Sequence, residues 1–112
     1  MARNSSFTEE QLTDSSYYIL LSLINPIHGY GIMQYVEELT DKEIIIGPAT
    51  LYTILKKMQD AEFITPGEDD NDRRKTYVIT EKGKEVLKKE ISRRIKMAEY
   101  GKKALSLLNG GM

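Results

Sequence analysis

The sequence predicts a mainly α-helical chain with a small β-hairpin and one long helix at its C-terminal end. Three observations predict it. Apolar residues recur at helical spacing in three segments before residue 60. Two short extended segments, 63–66 and 76–80, flank a polar, turn-rich stretch. A last amphipathic pattern then runs from residue 81 to residue 108. At 112 residues the chain suits a single domain with one modest core.

Helix 1 is predicted after Asp14, a good N-cap, from Ser15 to about Ile24. It is apolar nearly all round (Tyr17, Tyr18, Ile19, Leu20, Leu21, Leu23, Ile24), as a helix buried on several sides is. Asn25-Pro26 ends it. Helix 2 spans about Gly29 to Leu39, with Ile32, Met33, Val36 and Leu39 at helical spacing. Ile44-Ile45-Ile46 is β-branched and reads as a small strand.

Gly47-Pro48 opens helix 3, because proline at the first helical position loses no hydrogen bond. Leu51, Ile54, Leu55 and Met58 form its apolar stripe. The segments Phe63–Pro66 and Thr76–Thr80 form a hairpin around a long tip, Gly67 to Lys75. Helix 4 begins after Thr80, an N-cap with Glu81 in the first turn, and reaches Leu108. Asn109 can take the left-handed conformation that ends a helix, and Gly110-Gly111 frays. Helix, helix, short strand, helix, hairpin, long helix is the order of a winged helix-turn-helix plus one extra helix. Residues 1–80 form the winged helix-turn-helix region, with 1–12 an N-terminal segment expected to be mobile. Residues 81–112 form a C-terminal dimerisation helix of the same domain.

Composition narrows the function. There is no cysteine, which excludes disulfides, thiol catalysis and cysteine-ligated metal sites. The polar N-terminus has no hydrophobic signal region, and the longest apolar run, Tyr17–Leu21, is far too short to span a bilayer. A soluble cytoplasmic protein is expected. The formal net charge is −1, so affinity for DNA must come from local clusters of Lys and Arg. His28 is the only histidine, and it sits at a turn. No G-x-S-x-G, Walker or H-E-x-x-H pattern occurs, so no enzyme and no cofactor are expected.

Two clusters point to nucleic acid. Helix 3 carries small residues near its start, which lets a helix sit deep in a major groove. Thr50, Tyr52 and Thr53 are candidates for base edges or phosphates, and Lys56 and Lys57 for phosphates. An amphipathic helix with a solvated face is the plainer reading of this helix taken alone. Arg73-Arg74-Lys75 makes the returning hairpin strand basic, suiting it to clamp a DNA backbone or enter a minor groove. The acids Glu68, Asp69, Asp70 and Asp72 are expected at the outward tip. Counted from Asp70, Asp72 and Glu81 fall at acidic positions of an EF-hand loop. Arg74 and Lys75 then occupy the places of a ligand and the obligatory glycine, so calcium is rejected.

Helix 4 is too long to bury its stripe on a small domain. Leu87, Ile91, Ile95, Ala98, Leu105 and Leu108 are therefore the candidate dimerisation residues, interrupted at Gly101 and Lys102. Folding back on its own domain is the alternative. Its lysines and arginines read mainly as a solvated face with some glutamate partners.

Taken together, the motifs resemble the PadR family of transcriptional regulators. Thr50-Leu51-Tyr52 followed by Leu55-Lys56-Lys57-Met58 is similar to its recognition-helix signature. Phe63-Ile64, then Arg73 to Thr80 and Gly83, is similar to its wing, and His28-Gly29-Tyr30-Gly31-Ile32 to the opening of its second helix. The resemblance covers about Asp14 to Leu87 well, and a single C-terminal helix looks like the short subfamily. Lys57-Met58-Gln59 departs from the usual R-L-E, Glu62 from a glycine, and Asn71-Asp72 from the wing's glycine and arginine. No tryptophan is present to stack a planar drug. The resemblance implies a homodimer, repression at a palindromic operator in double-stranded DNA, and release by a small-molecule effector. Tyr17, Tyr18, Met97 and Tyr100 are candidates to line an effector pocket, with core packing the commoner role for such residues. The alternative function is a winged-helix protein-interaction module that binds no DNA.

Overall fold

The computed structural model describes residues 11–67 and 75–110. Its elements are α1 (Asp14–Ser22), β1 (Ile27–His28), α2 (Gly29–Leu39), α3 (Pro48–Asp60), β2 (Ile64–Pro66), β3 (Thr76–Ile79) and α4 (Glu81–Leu108). The fold is the expected one: mainly helical, with a small antiparallel sheet as the wing and a long last helix.

Helix α1 starts one residue earlier than Asp14 as N-cap predicts. Thr13 is the cap, its Oγ1 accepting the Ser16 N–H at 3.1 Å. Asp14 becomes the first helical residue, where a carboxylate favours the helix dipole. The helix stops at Ser22, short of Ile24, and the Leu23 carbonyl accepts the Ile79 N–H at 2.9 Å. A carbonyl committed to a strand of the sheet helps turn the chain there.

The sheet has order β1-β3-β2, with both pairings antiparallel. Ile27 faces Tyr77 and His28 faces Thr76 on one side of β3, and Ile64 faces Ile79 on the other. The strand expected at Ile44-Ile45-Ile46 is not formed, and Ile27–His28 takes that role. Two contacts account for the difference. β3 already has a neighbour on each edge. The Ile44 N–H is also spent on Thr40 Oγ1 at 3.1 Å, within a loop that takes Asp41 and Lys42 to positive φ. Ile46 still goes into the core, as a buried loop residue.

Helix α2 has the predicted bounds, and His28 Nδ1 accepts the Gly31 N–H at 3.3 Å as its cap. Helix α3 begins at Pro48 and buries Leu51, Leu55 and Met58, with Ile54 partly buried. Glu62 follows with φ 68°, the left-handed region that favours glycine. The glutamate thus makes the turn at a strain cost of order 1 kcal/mol. Thr80 Oγ1 helps hold it, donating to the Glu62 carbonyl at 2.7 Å while accepting the Gly83 N–H at 3.0 Å as the cap of α4. At the far end Asn109 does not take the left-handed conformation expected of it, keeping φ −94°, and Gly110 takes the positive φ instead.

All elements close on one core, in which Ile19, Leu20, Leu23, Ile32, Val36, Leu51, Met58 and Phe63 are fully buried. Val86 and Leu87 bring the first turns of α4 into it. No helix among the described residues is long and apolar enough to cross a membrane.

Candidate nucleic-acid interface

Burying one stripe of α3 dictates what the opposite face offers. Thr50, Tyr52, Thr53, Lys56 and Lys57 are all exposed. Gly47, the N-cap, has no side chain to offer the first amides of α3. Lys56 Nζ lies 3.5 Å from Asp60 Oδ2, with both side chains largely in solvent. Such a pair is weak and yields readily to a phosphate.

Tyr52 is only half free, at 50 % exposure. Its phenol rests against the backbone of Gly29, the first residue of α2. A Cβ placed on Gly29 would fall onto Tyr52 Oη and stand 3.0 Å from Cζ. Burial pushes the Tyr77 phenol above its ordinary range, and the nearby Tyr52 phenol adds to the rise.

On the wing, Arg73, Arg74, Asp70 and Asp72 lie outside the described residues. Lys75 is exposed at the foot of β3. Strand alternation puts it on the same face as the buried Tyr77, past the edge of the core.

The candidate dimerisation residues divide into two groups. Leu87 belongs to the chain's own core and Ile91 is partly buried against it. Ile95 (56 %), Leu105 (53 %) and Leu108 (80 %) are exposed, and so is Ala98. The buried side of α4 runs through Gly83, Val86, Leu87 and Glu90, with Ile91 and Arg94 partly buried, and every residue from Ile95 to Leu105 is exposed. Of the candidate effector residues, Tyr17 and Tyr18 are partly buried with ring centroids 5.8 Å apart, while Met97 and Tyr100 stand in solvent.

Sequence reasoning missed Glu90, which is 1 % exposed. Arg93 grips it through Nε at 3.1 Å and Nη2 at 2.6 Å, and Arg94 Nε donates to it at 2.7 Å. These two arginines have the glutamate partner that the sequence allows for some of the basic residues of α4, and the carboxylate they hold is buried. Burial would raise the Glu90 carboxyl, but hydrogen bonds from Arg93, Arg94 and the Leu12 backbone hold it below the usual carboxylate range. Arg94 also lies over the Tyr17 ring, 4.3 Å from its centroid. An i, i+3, i+4 grouping of Glu with two Arg was the available signal, though it does not say which face is buried.

Among the described residues no group of His, Asp or Glu is placed to hold a metal ion.

Residues 19–89 match the model of the transcriptional regulator PadR-like family. No curated protein sequence matches the chain. Among solved structures, a transcriptional regulator from Clostridium thermocellum is similar, with 26 % identity and TM-score 0.63 over 81 % of this chain and 88 % of that one. PadR from Bacillus subtilis, solved with operator DNA, is 29 % identical with TM-score 0.57. That match covers 66 % of this chain but only 44 % of the Bacillus protein. A PadR family regulator from Eggerthella lenta shares the fold at 24 % identity and TM-score 0.60, over 80 % of this chain and 74 % of that one. The chain belongs to the PadR-like family of transcriptional regulators, and is a regulator rather than an enzyme.

Proposed function

We propose that this regulator represses transcription as a homodimer bound to a two-fold operator in double-stranded DNA. One observation carries the reading: α3 commits Leu51, Leu55 and Met58 to the core and turns Thr50, Tyr52, Thr53, Lys56 and Lys57 outward. That is a helix able to enter a major groove with phosphate-seeking lysines at its flank. The Bacillus relative, solved with operator DNA, supports it. Arg73, Arg74 and Lys75 of the wing would hold the flanking backbone.

In this reading residues 1–80 contact DNA and the helix from residue 81 dimerises. Ile91, Ile95, Ala98, Leu105 and Leu108 meet a second copy, and Leu87 supports them from the core. A second copy is favoured because the outer half of α4 otherwise leaves its apolar residues in water. A small effector would act at Tyr17, Tyr18, Met97 and Tyr100, on the α1 and α4 surfaces beside that contact.

The test is fluorescence anisotropy on duplex DNA from upstream of the protein's own gene, against a scrambled duplex. Selective binding that falls by roughly 10³ to 10⁵ between about 50 and about 200 mM salt is expected, from neutralising about 6–10 phosphates. No binding to any duplex at low salt would favour a protein-interaction module instead.

A further inference from the structure

Tyr52 occupies an unusual place for a residue meant to read bases. It projects from the second turn of α3, yet its phenol is seated on Gly29 at the start of α2. Two elements therefore meet at one side chain: the recognition helix and the start of the helix before it. The seat exists only because residue 29 is glycine, since a Cβ there would overlap the phenol. Backbone freedom is not the reason, because Gly29 lies within α2 without a positive φ. What the glycine supplies is room.

The opposite turns of α3 show a different pattern. Thr50, Thr53, Lys56 and Lys57 are exposed, and among the described residues Lys56 pairs with the surface Asp60. Those residues can follow a DNA surface, whereas the Tyr52 ring tip is already spent on protein. We infer that Tyr52 is a positioning residue: its ring, seated on Gly29, holds α3 at a fixed distance from α2, and its hydroxyl reads no base. This rests on the proposed DNA-binding function and changes the role of one residue within it.

The test is a double-mutant cycle on duplexes that the wild-type protein recovers from a random pool. Gly29→Ala removes the seat, displacing Tyr52, and substitutes no candidate DNA-contacting residue. It is expected to weaken binding to the selected duplex by about tenfold, within the range of coupled neighbours, with little effect on a scrambled one. In a Tyr52→Ala background Gly29→Ala is expected to cost nothing further. Tyr52→Phe, which keeps the ring on its seat, should bind within about threefold of wild type, against a loss of about tenfold for Tyr52→Ala. Equal losses for Tyr52→Phe and Tyr52→Ala would assign the hydroxyl to DNA and overturn the inference, as would full additivity of the Gly29 and Tyr52 changes. The Phe and Ala comparison decides the matter even if Gly29→Ala disturbs folding. A wild-type protein that selects no duplex would instead overturn the DNA-binding reading, and the inference with it.

Discussion

Arg94 Nη1 lies 2.8 Å from Asp14 Oδ1, joining α4 to the first residue of α1 across 80 positions of chain. Its Nη2 donates to the Leu12 carbonyl at 3.0 Å, and its Nε to Glu90. One guanidinium thus pins the entry of the chain into α1 against the middle of α4. A planar fork with five donors can do this, and a lysine could not.

Glu90→Gln should be destabilising by about 1–3 kcal/mol at pH 7, since both arginines lose their charged acceptor. The acid dependence should change as well. The folded-state pKa lies below the unfolded value. The cluster therefore stabilises fully above about pH 4.3, the ordinary glutamate value, and loses that contribution as pH falls through the lowered folded value. Urea unfolding from pH 7 to pH 3 should show a steeper acid loss in wild type than in the variant. Parallel curves would mean that Glu90 carries no such linkage.

Gly83→Ala should cost stability even though alanine is the better helix former by about 1 kcal/mol. A Cβ there would fall onto the Phe63 carbonyl oxygen and stand 2.8 Å from Ile79 Cγ1. Backbone cannot swing aside as a side-chain tip can, so a net loss of about 1–3 kcal/mol is expected from thermal or urea melts. A gain in stability would show that α4 docks less closely than this.

Lys57→Ala should lower affinity for every duplex alike and reduce the slope of log affinity against log salt by about 1, as loss of a phosphate contact does. Titrations at four salt concentrations would measure it. A loss confined to one sequence, with the slope unchanged, would make Lys57 a base reader.

Ile95→Asp and Leu87→Asp should behave differently although both lie on the candidate dimerisation stripe. Ile95 is exposed in the single chain, so its change should give a folded monomer by light scattering and circular dichroism. Leu87 is buried with Val86 in the chain's own core, so its change should unfold the domain. A dimer that survives Ile95→Asp would place the interface elsewhere.

The sequence by itself determined the helices and the hairpin. Local signals sufficed at Gly47-Pro48, at Thr80 with Glu81, and in the stripes of α2 and α3, because caps and 3.6-residue periodicity act within a few residues. It also determined the outward face of α3, since burying Leu51, Leu55 and Met58 leaves Thr50, Thr53, Lys56 and Lys57 outside. Tertiary structure alone decided which β-branched segment became the third strand. Ile44–Ile46 has the stronger propensity, but Ile27–His28 is where the turn after α1 brings backbone to the free edge of β3. Only tertiary structure buried Glu90 between its arginines, divided the α4 stripe between core and solvent, and set Tyr52 against Gly29. Each of these depends on a partner distant in sequence. Spacing along one element says which residues share a face; the chain returning from elsewhere decides what that face meets.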